Sequence, residues 1–361
     1  MKKVIALLMV AALSVSTLVG CGSQSATSSA APASQASQAA ASSEAASSAA
    51  AATAGKVKTG LAVVSSVSES TPVKDGKGTA VSDITAVAVT VGEDGKILKC
   101  DIDGMRAQIQ FSDKGKLLTP ATTVFKSKNE LKEEYGVKKV SKIGKEWNEQ
   151  AAAFAKYVVG KTADEVKGIA VSAQGTTTDK ELTASVTIHV GDFITAVQKA
   201  VANAQDLGAG ADDKLGLGLT ASGAQSADAG AKDGIAQAYS YFTASTFGAD
   251  GKVTSCVIDA AQNKVTFDKT GKITSDLKAE QKSKDELKDA YGMKKVSKIG
   301  KEWNEQAASF ATYATGKTID QIKGIAVDSE GKATSTEITA SVTVHVTDFM
   351  TILEKAAANA Q

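Results

Sequence analysis

The segment ELTASVTIHVGDFITAV, residues 181–197, returns as EITASVTVHVTDFMTIL, residues 337–353. Each copy sets a carboxylate, hydroxyls and an imidazole along a short span: Glu181, Thr183, Ser185, Thr187 and His189, then Glu337, Thr339, Ser341, Thr343 and His345. The two histidines are the only ones in the chain. Neighbouring side chains of a strand point to opposite faces, so the alternation predicts Leu182, Ala184, Val186, Ile188 and Val190 on a core face. Thr183, Ser185, Thr187 and His189 then share the other face, where a hydroxyl can join a phosphate. The second copy puts Ile338, Ala340, Val342, Val344 and Val346 inward by the same rule.

The elements that must position this segment are themselves duplicated. KSKNELKEEYGVKKVSKIGKEWNEQAAAFAKYVVGKTADEVKGIAV begins at Lys126 and its near-copy at Lys282, so the offset, 282 less 126, is 156. The same offset carries Gly95 to Gly251, Cys100 to Cys256, Trp147 to Trp303 and His189 to His345. A repeat this long reads as a complete domain with its own core, not a solenoid unit. Residues 56–205 and 206–361 are therefore expected to be two domains that fold separately, with the Gly-rich stretch Asp206–Asp213 as the seam.

Within each copy the pattern is α+β. AVAVTV, residues 86–91, runs into the turn Glu93-Asp94-Gly95-Lys96 and out through ILKCDID, a hairpin signal. Trp147, Ala151, Phe154 and Val158 have helical spacing, and Gly160 is a C-terminal stop. Thr162 with Glu165, and Thr318 with Gln321, are capping boxes. The repeated segment then reads as strand followed by helix.

Ahead of the copies lies an export signal. Lys2 and Lys3 precede an apolar run, Val4–Leu13, too short to span a bilayer, and Leu18-Val19-Gly20-Cys21 ends it. This resembles the lipobox of bacterial lipoproteins, which implies cleavage after residue 20, a diacylglyceryl group on Cys21 and a membrane-anchored protein. The following stretch, through residue 55, is almost wholly Ser, Ala, Gln and Thr, and is expected to be a disordered tether. Its mean reach is about 30 Å. A formal net charge of +1 over 361 residues gives no basis for binding nucleic acid through bulk charge.

A helix ending in Gly-Lys-Thr, a spacer, an acidic residue, a Ser/Thr-rich strand and a helix with an apolar pair together resemble the FMN-binding domain of flavin-carrying subunits in sodium-pumping and ferredoxin-linked respiratory complexes. The chain is closer to the two-domain flavinylated, pheromone-encoding lipoproteins of Gram-positive extracellular electron transfer. In that family an Asp-x-x-Ser/Thr-Gly/Ser-Ala-Thr motif carries FMN through a phosphoester on its last threonine. The resemblance implies acid, small residue and acceptor at Glu181, Ser185 and Thr187, and at Glu337, Ser341 and Thr343. It departs from the motif in its glutamates, in Ala184 and Ala340, and in Val186 and Val342. A register shifted by two makes Ser185 and Ser341 the acceptors, and both registers stay open. The resemblance further implies two tandem FMN-binding-like domains loaded by a flavin transferase. A quinone-linked donor would reduce them, and extracellular acceptors would oxidise them.

The remaining residues carry alternatives. His189 and His345 are either hydrogen-bond donors to a flavin phosphate or solvated histidines. Trp147 and Trp303 suit core packing ahead of stacking on a flavin. Cys100 and Cys256, in separate copies, read as two buried thiols. The lysine run, residues 126–145, reads as a solvated face, with a weak role in meeting anionic phosphate or an acidic redox partner left open. One histidine and one cysteine per copy make no metal site, and no haem-attachment motif, phosphate loop or catalytic triad stands out. The role the resemblance implies is an electron carrier, not an enzyme. The other readings are a surface binding or adhesion lipoprotein without flavin, and a peptide pheromone released from residues 13–20.

Overall fold

AVAVTV, residues 86–91, has both faces covered, and that fact organises the molecule. It belongs to β3 (Lys77–Val91), which follows β1 (Lys56–Ser66) and β2 (Thr71–Lys74) and precedes β4 (Ile97–Ser112) and β5 (Val124–Phe125). The computed structural model describes residues 56–361. The signal peptide, Cys21 and the tether lie outside the described residues. The expected hairpin joins β3 to β4: Gly95 takes φ 77°, and the Asp94 carboxylate accepts the Lys96 N–H at 3.1 Å.

Helices follow: α1 (Lys128–Leu131), α2 (Trp147–Val158), α3 (Ala163–Lys167), α4 (Lys180–Thr183) and α5 (Gly191–Ala202). On α2 the expected stripe of Trp147, Ala151, Phe154 and Val158 is buried. The Thr162–Glu165 capping box starts α3. After β6 (Gln205–Gly210) the order returns as β7 (Lys214–Ser222), β8 (Gly234–Phe247), β9 (Val253–Phe267), α6 (Lys284–Leu287), α7 (Trp303–Ala314), α8 (Ile319–Lys323), α9 (Thr336–Thr339) and α10 (Thr347–Asn359).

The strands form two antiparallel sheets. One runs β2-β3-β1-β6 with β4 also on β3, and the other runs β5-β7-β8-β9. The Gly-rich stretch after residue 205 is therefore a strand, β6, paired with β1, while β5 of the first copy pairs with β7 of the second. Val87, Val89 and Val91 face their own copy's helices, and Ala86 and Ala88 face the other sheet. Each copy has one helix-side cluster. Two further clusters draw on both copies, one joining Leu61, Ile84 and Met105 to Leu217, Leu219 and Phe242. The layers run helices, sheet, sheet, helices, and either copy alone would expose an apolar sheet face.

The contacts between copies are reciprocal, as across a two-fold axis. Phe111 stacks on its counterpart Phe267, with centroids 4.2 Å apart and planes within 7°. Lys199 pairs with Glu286, and their counterparts Lys355 and Glu130 pair across the other side, both at 2.7 Å. Gly60 and Gly216 let α5 and α10 lie directly on the sheets. A Cβ at either would stand 2.0 Å from the Ala200 or Ala356 carbonyl oxygen.

Candidate functional site

The segment read as a Ser/Thr-rich strand is not one. Asp179 caps the short helix α4, its carboxylate accepting the Glu181 N–H at 2.9 Å, and the chain then runs irregularly to Val190. The Val186 N–H bonds the Leu182 carbonyl at 2.8 Å, a helical spacing. Leu182, Val186 and Val190 are buried as expected, but Ala184 is exposed and Ile188 half-buried. The physical reason is that positions 182, 186 and 190 satisfy a period of four as well as a period of two; Asp179 caps the turn in the first copy, and the second forms the same turn without a side-chain cap from Ser335. In the second copy α9, Ile338, Val342 and Val346 repeat the arrangement, with Ala340 exposed and Val344 half-buried. Only His189 and His345 retain strand-like pairing, through single bridges to Thr176 and Lys332.

What holds the threonines is a buried glutamine. Gln150 on α2 is fully buried, and its Oε1 accepts the Thr187 N–H at 2.8 Å, the Thr187 hydroxyl at 3.2 Å and the Ile188 N–H at 3.3 Å. Its Nε2 donates to the Lys145 carbonyl at 2.9 Å and to the Ser141 hydroxyl at 3.3 Å. Gln306 does the same in the second copy, accepting the Thr343 N–H at 2.8 Å and hydroxyl at 3.1 Å, and donating to Lys301 and Ser297. Backbone N–H groups only donate and carbonyls only accept, so these partners fix the amide's orientation. Because the backbone N–H is anchored too, each threonine keeps its place if its hydroxyl proton is lost. Glu146 and Glu302 stiffen the preceding loop: each buried carboxylate accepts two N–H groups, those of Val137 and Lys138 or of Met293 and Lys294.

Ser185 and Ser341 are occupied differently, donating to the Leu182 and Ile338 carbonyls of their own short helices at 3.2 and 3.5 Å. Glu181 and Glu337 are exposed on the first turns of α4 and α9. His189 is exposed, and His345 is exposed at the rim of a cleft that it lines together with Thr343.

That cleft measures about 530 Å³, the size of a pocket for a cofactor. Its wall carries Tyr239, Tyr241, Tyr291 and Trp303, with Lys298 and Lys332 as cations. Tyr239 stacks on Tyr241 at 4.8 Å and 20°. Behind them Lys284, 2 % exposed, points its ammonium at the rings of Tyr239, Tyr291 and Trp303, 4.5–4.6 Å from each centroid. It also donates to the Tyr239 hydroxyl. Burial pushes Lys284 down to about 7, the Asp259 carboxylate opposing, and the three ring faces add to that opposition. Burial likewise raises Asp348 above the usual carboxylate range, against His345 and the Tyr241 hydroxyl.

The first copy fills the same positions with charge. Asp83 stands where the second has Tyr239, Thr85 for Tyr241, Glu69 for Gln225 and Arg106 for Gln262. Arg106 pairs with Glu69 and Asp83, and Asp83 also takes Lys128, the counterpart of Lys284, at 3.1 Å. Trp147 and Trp303 belong to the helix-side cores, and Trp303 also lines the cleft. Cys100 and Cys256 are free thiols, the first half-buried and the second buried.

Among the described residues no group of three His, Cys, Asp or Glu could hold a metal ion, and no helix is long and apolar enough to cross a membrane. Sequence reasoning missed Gln150, Gln306 and the tyrosine pair. The signal for the glutamines was there: KKVSKIGKEWNEQAA is identical at 138–152 and 294–308, closer than the Ser/Thr segments it serves. Comparison with protein-family models, curated proteins and solved structures finds no match for the chain.

Proposed function

We propose that this chain is a lipid-anchored, extracytoplasmic flavoprotein of two tandem FMN-binding-like units, carrying FMN covalently on Thr187 and Thr343 and passing electrons from a quinone-linked membrane donor to extracellular acceptors. The observation that carries the reading is the buried glutamine that holds each acceptor threonine by N–H and hydroxyl together, in both copies. The cleft beside Thr343 fits the cofactor: aromatic walls suit a planar ring, and Lys298, Lys332 and His345 suit a phosphate. Bound FMN supplies the redox chemistry, accepting and releasing electrons. Thr187 and Thr343 would retain it, Gln150 and Gln306 position those threonines, and the aromatic wall of the second copy keeps water from one side of the ring. A flavin transferase would form the phosphoester from FAD, the threonine oxygen taking the FMN phosphoryl group as the pyrophosphate bond breaks and AMP leaves, so the chain itself is no enzyme, and attachment prevents loss of the cofactor to the medium.

The test is coexpression with an exported-type flavin transferase, followed by acid precipitation. Yellow chromophore retained in the washed pellet, and absent from the Thr187→Ala, Thr343→Ala double variant, is the expected outcome. A colourless pellet under conditions that load an established substrate would instead favour a binding or adhesion lipoprotein.

A further inference from the structure

The two copies share backbone, threonine and glutamine but differ in what surrounds them, and that difference bears on ligand preference. In the second copy Tyr239, Tyr241, Tyr291 and Trp303 line an open cleft, and the rings of Tyr239, Tyr291 and Trp303 cage the Lys284 ammonium, which has no ion pair among the described residues. In the first, Lys128 likewise lies over Trp147 and Tyr135, 4.8 and 5.3 Å from their centroids, but Asp83 takes it into an ion pair, and Arg106 ties Asp83 to Glu69 across the corresponding wall. The side chains of Arg106 and Glu69 keep 28 % and 61 % exposure, so a ring laid over them strips water from charges already paired. A ring laid against Tyr239, half-buried at the cleft and backed by the 8 % exposed Tyr241, instead meets aromatic side chains and displaces water from apolar surface.

We infer that the copies are inequivalent toward a planar heteroaromatic ligand: the cleft of the second, through the half-buried Tyr239 and Tyr291, binds such a ring reversibly without the covalent bond, at least tenfold tighter than the first. The inference rests on the flavin reading of the site but does not require the phosphoester. Its consequence is that the second copy grips the ring by contact as well as by attachment, whereas the first retains it by attachment alone.

Each copy contains one tryptophan, which makes the copies separately readable. Full chain is purified from cells lacking a flavin transferase and titrated with riboflavin and with FMN, in the Trp147→Phe background to read Trp303 and in the Trp303→Phe background to read Trp147. Trp303 emission should quench at ligand concentrations at least tenfold lower than Trp147 emission. In the Trp147→Phe background, Tyr239→Phe should keep the binding, and Tyr239→Ala should weaken it at least tenfold. Riboflavin matching FMN assigns recognition to the ring, whereas FMN alone binding overturns the stacking argument. Equal affinities, or a tighter Trp147 site, overturn the inequivalence. If neither reporter responds while the transferase still loads both threonines, this inference fails and the flavin reading stands. Silence from both reporters and no covalent adduct sink both.

Discussion

Truncating Phe111 tests whether the copies share one folding unit. Phe111 is fully buried in the first copy and its ring lies flat on Phe267 of the second. Phe→Ala in such a site costs about 3–5 kcal/mol, out of a total stability of about 5–15 kcal/mol for an ordinary protein. The two rings are each other's neighbours, so removing the second after the first should cost less than removing it alone. The coupling should be about 0.5–1.5 kcal/mol, the range for an aromatic pair. Urea unfolding is followed by the single tryptophans of the Trp303→Phe and Trp147→Phe backgrounds, each with Phe111→Ala, Phe267→Ala and both. Both reporters should lose signal at one midpoint, and Phe111→Ala should lower that midpoint for the Trp303 reporter as much as for the Trp147 reporter. A shift confined to the Trp147 reporter, or additivity of the two truncations within about 0.3 kcal/mol, would refute a shared core and restore two separately folding domains.

Three further outcomes follow from the geometry. Gln306→Met leaves the Thr343 N–H and the Lys301 carbonyl without their partner, at about 1–3 kcal/mol for each unpaired group; peptide mass mapping should show FMN loading lowered at Thr343 and unchanged at Thr187. Lys132 and Lys288 hold φ 47° and 46° at equivalent turns, a conformation that favours glycine. Lys132→Gly and Lys288→Gly should therefore each stabilise by about 1 kcal/mol, measured by urea titration, and a loss of stability would mean the side chains contribute more than the strain. Cys21→Ser should release the protein from the membrane fraction, and unchanged retention would count against the lipid anchor.

The duplication, the β3–β4 hairpin, the α2 stripe and the capping boxes were legible because each is a local signal: a turn residue, a period, or a hydroxyl three residues from a carboxylate or an amide. Thr187 and Thr343 were legible as candidates through their repeated setting, but their conformation was not. Leu182, Val186 and Val190 fit strand and helix periods alike, and nothing within the segment decides between them: Asp179 caps the first turn from upstream, while Ser335 makes no such bond on the second. The packing of sheet on sheet was hidden for another reason. Ala86 and Ala88 look like modest strand residues, and only the opposing Phe242 and Ala244 show that their face is covered. Tyr239 and Tyr241 left no repeat signature at all, because the first copy has Asp83 and Thr85 there.

The most direct measurement is a peptide mass map of the chain after coexpression with an exported-type flavin transferase, for wild type, Thr187→Ala, Thr343→Ala and the double variant. The account predicts one FMN phosphoester on Thr187 and one on Thr343, a single adduct in each single variant and none in the double. Adducts that survive in the double variant and disappear with Ser185→Ala and Ser341→Ala would move the attachment to the serines, and the absence of any adduct would contradict the flavoprotein account itself.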